Sequence, residues 1–85
     1  MENTIFNVYV PIESQEQCNR FKKLCLDNNL DTWLHPKSFS FVSNGGNYFC
    51  SHPLDKQFTI MTSAPLNKTK VTESEFIDLL KKYKL

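Results

Sequence analysis

The chain has no long apolar run, no surplus of charge of either sign and only two glycines, and each shortage removes a class of protein. Its opening stretch, MENTIFNVYVPI, lacks a basic flank and is interrupted by Asn3, Asn7 and Pro11, so neither a secretory leader nor a membrane span is expected there. Ten basic residues against nine acidic ones leave a net charge of +1, so no global field points to a membrane surface or an acidic partner, and nucleic acid is the least favoured partner. There is no phosphate-binding G-x-x-x-x-G-K loop, no dinucleotide fingerprint and no C-x-x-C pair. The close carboxylates Glu73 and Glu75 belong to a helix start. No internal repeat and no low-complexity tract breaks the chain, and its 85 residues suit a single compact domain over 1–85.

The cysteines are odd in number. Cys18 and Cys25 fall at i and i+7 of one expected helix, about 10 Å apart along its axis. A disulfide needs Cα atoms within about 7 Å, so these two cannot bridge. Three reduced, mostly buried thiols in a reducing compartment are expected, and with them a cytoplasmic location.

The elements follow from periodicity and capping. Phe6, Val8, Val10 and Ile12 alternate with polar positions, as in a strand with one inward face, and Pro11 closes its hydrogen bonding. Ser14 and Gln17 form a capping box for a helix to about Asp27, with Cys18, Phe21, Leu24 and Cys25 as its apolar stripe and Asn28-Asn29 as its stop. Thr32 to Leu34 reads as a brief strand or an extended lead into the next element, halted by His35-Pro36. After a turn over His52 to Lys56, Gln57 to Thr62 reads as a strand with Phe58 and Ile60 inward, and Ser63 to Lys70 as a polar, mobile loop. Thr72 and Glu75 form a second capping box, Val71 and Phe76 a hydrophobic staple, and Phe76, Leu79, Leu80 and Tyr83 the stripe of a closing helix.

Between these elements lies Lys37 to Ser51, KSFSFVSNGGNYFCS, which reads as a β-hairpin closed by the glycine pair in a turn that tolerates positive φ. Either two-residue turn puts Phe39, Phe41, Tyr48 and Cys50 on one face and Val42 and Phe49 on the other. The expected fold is therefore α+β in the order β-α-β-β-β-α, a two-layer sandwich of a small, mostly antiparallel sheet with two helices on one face.

Candidate chemistry is sparse. Cys50, His52 and His35 contain the donor types of a metal site, and Cys50 with a histidine and Asp55 contains those of a nucleophilic site, but buried packing cysteine and solvated histidine explain both. No enzymatic activity, metal or cofactor is expected. If the helices cover the Phe39 face, then Val42 and Phe49 with Tyr9, and in the same way Trp33, form an apolar interaction surface for a protein partner or a second copy of the chain. The tip residues Asn44, Gly45, Gly46 and Asn47, together with Lys68 and Lys70, offer backbone amides and ammonium groups to a nucleotide or other small anion. Ordinary turn chemistry explains the glycines equally.

Taken whole, the capped helix QCNRFKKLCLDNN with a tryptophan close behind it, the aromatic hairpin and the ending VTESEFIDLLKKY give a layout that resembles the small accessory proteins encoded by bacteriophages. The resemblance implies a non-enzymatic module acting in a host cytoplasm that binds or blocks a host protein. Its alternative implication is an anti-defence protein that sequesters nucleotides as a homo-oligomer. It carries no catalytic or binding residue set with it.

Overall fold

The computed structural model describes residues 3–52 and 56–84. Its elements are β1 (Val8–Pro11), α1 (Gln15–Asp27), a 3-10 turn (Pro36–Ser38), β2 (Tyr48–Ser51), β3 (Phe58–Met61), β4 (Thr69–Lys70) and α2 (Glu73–Lys84). The order is β-α-β-β-β-α, and the architecture is a small α+β domain. The four strands form one mixed sheet in the order β3-β2-β1-β4. β1 is central, antiparallel to β2 and parallel to β4.

Both helices begin where their side chains can satisfy free backbone amides. At α1 the Gln17 amide donates to Ser14 Oγ (3.1 Å), but the Gln17 side chain reaches past Ser14 and accepts from the Glu13 amide (2.9 Å). At α2 the box is reciprocal: the Glu75 amide donates to Thr72 Oγ1 and the Thr72 amide donates to Glu75 Oε1. Helix α1 ends as its asparagines suggest. Asn29 takes φ 52°, and the Leu30 amide donates to the Cys25 carbonyl (3.0 Å), which is a Schellman closure.

The register assigns the faces. Val10, Phe49 and Ile60 stand in one row across the sheet, and Tyr9, Cys50 and Thr59 in the next, pointing the other way. The first row faces the helices. The Phe49 ring lies 4.5 Å from Phe21 of α1, 5.4 Å from Phe76 of α2 and 5.3 Å from Phe58 of β3, centroid to centroid. Phe49 is thus the centre of the core, where ring edges and faces add to area burial. Arg20 and Glu73 join the two helix surfaces by a bidentate pair (2.9 and 3.0 Å), whose exposure to solvent screens it.

The structure corrects the expected hairpin. Phe39 to Val42 belong to no strand, and β2 pairs with β1 and β3. Pro36 opens a 3-10 turn capped by His35, whose Nδ1 accepts from the Lys37 amide. Asn47 then takes the place of a partner strand: its Oδ1 accepts from the Val42 amide (2.8 Å) and its Nδ2 donates to the Val42 and Gly45 carbonyls. Both ladder groups of Val42 are consumed by one side chain. Neither glycine has positive φ. The hairpin that does form joins β2 to β3, and residues 53 to 55 of the expected turn between them lie outside the described residues. The strand missing from the hairpin is replaced in the count by β4, inside the stretch expected to be a mobile loop.

Candidate functional site

The expected interaction surface comes apart on the structure. Phe49 is fully buried, so it belongs to the core and not to a contact surface. The cause is the lost hairpin: Phe49 answers to Val10 of β1, which reverses the face deduced from Phe39 and Phe41. Tyr9 does lie on the helix-free face, where its ring meets Tyr48 edge-on at 5.8 Å. Val42 and Trp33 are half exposed, and Trp33 packs edge-on against the His52 ring at 4.6 Å.

The expected anion site is also divided. Asn47 sits at the far end of β1, its carbonyl accepting from the Ile12 amide, while Lys68 sits at the near end against Phe6. The four residues of β1 lie between these two points, about 13 Å of strand at ~3.3 Å per residue. The Asn47 amide is already committed to Val42 and Gly45. Lys70 lines a separate polar cleft of about 380 Å³ with Arg20, Glu13, Glu73 and Glu75. The tip and the two lysines therefore do not meet at one place.

What the structure assembles is a larger cleft, about 590 Å³, under the 63–68 segment. Its walls are Phe6 and Asn7 from the turn before β1, Ser51 and His52 from the end of β2, Lys56, Met61 from the end of β3, and Ser63 to Lys68. The volume is within the range of small-molecule sites, about 300–1,000 Å³, and the walls are mainly apolar. Two ammonium groups border the same residue: Lys68 Nζ donates to the Phe6 carbonyl and to Ser51 Oγ (3.3 Å), and Lys56 Nζ stands 5.5 Å from the centroid of the Phe6 ring. Ser51 Oγ donates in turn to the Phe6 carbonyl (3.2 Å). Among the described residues neither lysine has a carboxylate partner. No aspartate or glutamate lines the cleft among those residues either.

The thiols behave as packing groups. Cys50 is fully buried, its Sγ donating to Met61 Sδ at 3.3 Å, and burial pushes the thiol up, with Lys68 partly offsetting the effect. Cys18 is pushed up by burial against the opposing charge of Lys22, and burial alone pushes Cys25 up to about 12. A thiol held protonated is a poor nucleophile and a poor metal ligand. Among the described residues no three His, Cys, Asp or Glu side chains gather as a metal site would require, and Asp55 lies outside them.

Sequence reasoning found Lys68 but gave it the wrong company. The signal for the cleft is the pairing of Thr69-Lys70 with β1, which folds the SAPLNK stretch back over Phe6, and a two-residue strand leaves no readable periodicity. No protein-family model, curated protein or solved structure matches this chain.

Proposed function

We propose that this chain is a non-enzymatic binding module and that the cleft under the 63–68 segment holds its ligand, a small molecule with an apolar body. One observation carries the reading: this cleft of about 590 Å³ is mainly apolar-walled and bordered by two ammonium groups that no carboxylate among the described residues offsets. Sequestration of a small ligand is thereby the favoured role, at a different place from the Asn44–Asn47 tip. Thermal shift across amphiphiles, nucleotides and neutral apolar compounds tests it. At least one class stabilises the wild type, and Met61→Arg, which fills the apolar wall with a charged group, loses that stabilisation. Silence across every class overturns the reading.

A second reading, a phage-type accessory protein that occupies a host protein, is supported by Leu66. This side chain is 97% exposed beside Ala64 and Pro65, and so large an apolar group offered to solvent at a loop tip suits a contact anchor. Under this reading Leu66→Ser removes an association seen by native mass spectrometry of the wild type, and unchanged association removes Leu66 from consideration.

A further inference from the structure

We propose, on the premise that the cleft is the binding site, that its ligand is an alkyl chain ending in a single anionic group, with Lys56 as the residue that selects for the charge. The apolar end of the argument is a matter of which surfaces remain free. Phe6, an aromatic ring in the cleft wall, is already engaged: it tilts against Phe58 at 5.7 Å, makes a T-shaped contact with Tyr83 at 5.3 Å, and has Lys56 Nζ 5.5 Å from its centroid. The His52 ring is packed on Trp33. What remains for a ligand is thioether and aliphatic surface from Met61, Ala64, Pro65 and Leu66. Such a wall suits methylene groups and offers no face on which a nucleobase can stack.

The charged end is limited in capacity. An ammonium has three donors, and Lys68 spends two of them on the Phe6 carbonyl and Ser51 Oγ. One donor of Lys68 and those of Lys56 suit one carboxylate-sized anion and fall short of a di- or triphosphate.

Lys56 supplies the independent observation. It adopts φ 55°, the left-handed region that side chains other than glycine and asparagine disfavour. The Lys56 amide donates to the His52 carbonyl (3.0 Å), which holds the Lys56 backbone in this conformation. A glycine at this position adopts the same φ without strain, and lysine adds the ammonium that it places beside Phe6. Strain retained at a cleft wall marks a functional position.

The test is titration calorimetry with decanoate and with decanamide, its neutral counterpart, below their aggregation concentrations, on the wild type, Lys56→Gly and Lys56→Arg. The wild type is expected to prefer decanoate by about tenfold, as one charge-assisted contact confers. Lys56→Gly loses that preference with no fall in its thermal midpoint, and Lys56→Arg keeps it. Equal affinity of the wild type for the two probes overturns the anionic selection and leaves the cleft as an apolar site. Binding of nucleotides with neither decyl compound overturns the alkyl assignment, and absence of binding by every probe overturns both the assignment and the cleft itself.

Discussion

The two adjacent glycines separate the observed loop from the hairpin expected in its place. A Cβ built on Gly46 falls 2.4 Å from Tyr48 Cε2, 2.6 Å from the Thr62 carbonyl oxygen and 3.1 Å from Tyr48 Cζ. Favourable carbon contacts begin at about 3.5 Å, so both neighbours must retreat by about an ångström. The tyrosine ring has some freedom, but the carbonyl is backbone beside the end of β3 and can move only with the strand. Overpacking of this kind costs about 1–3 kcal/mol, and backbone collision places Gly46→Ala toward the upper end. Replacing glycine also removes unfolded-state entropy, returning about 0.4–1 kcal/mol, so the net loss is about 2 kcal/mol. With an m-value of about 1 kcal/mol/M for a chain of this size, the urea midpoint falls by about 2 M. Gly45→Ala is the internal control. Its Cβ meets only Val42 Cγ1 at 3.9 Å and its φ is not positive, so only the entropic gain remains and the midpoint rises by about 0.5–1 M. Urea denaturation followed by tryptophan fluorescence and by circular dichroism reads both. Equal losses in the two variants refute the reasoning, because they are the signature of a turn in which both glycines need positive φ. An unchanged Gly46→Ala refutes it equally, since Gly46 then does not abut Tyr48 and Thr62.

Two further predictions concern the core and its thiols. Phe49→Ala removes the ring that four other phenylalanines surround and lowers stability by about 3–5 kcal/mol, while Tyr9→Ser on the helix-free face costs under about 1.5 kcal/mol; denaturation of the two variants side by side checks the assignment of faces. Because burial raises the Cys25 thiol from 9.0 to about 12 in the folded chain, its stabilising effect is intact below pH 9 and is lost progressively between pH 9 and 12, where the unfolded chain ionises first. Urea midpoints across that range fall less steeply for Cys25→Ala than for the wild type, and parallel slopes contradict the buried-thiol assignment.

Much of the fold was legible because local chemistry dictated it. Ser14 and Thr72 start their helices where they stand, the Val71–Phe76 staple is made by two buried residues, and the asparagines close α1 with Asn29 in the left-handed region. Val8, Val10 and Ile12 all point inward as their alternation requires. The hairpin misled because Asn-Gly-Gly-Asn between aromatic stretches is the usual mark of a two-strand turn. Nothing local reveals that Asn47 will bond to Val42 and withdraw it from a ladder. The candidate cleft was legible only as separate letters, with Lys68, His52 and Phe6 drawn from three distant parts of the chain.

The sequence by itself determined the helix boundaries and the inward faces of β1 and both helices, since each depends on residues within a turn or two of one another. Only the tertiary structure decided which face of Tyr48–Ser51 meets the helices. In YFCS each phase carries one aromatic ring, Tyr48 or Phe49, so alternation does not choose between them, and the pairing of Phe49 with Val10 across the sheet makes the choice. The same holds for the parallel union of Thr69-Lys70 with β1 and for the cleft it closes over Phe6. Contacts between residues sixty positions apart rest on chain-wide packing, which no local pattern encodes.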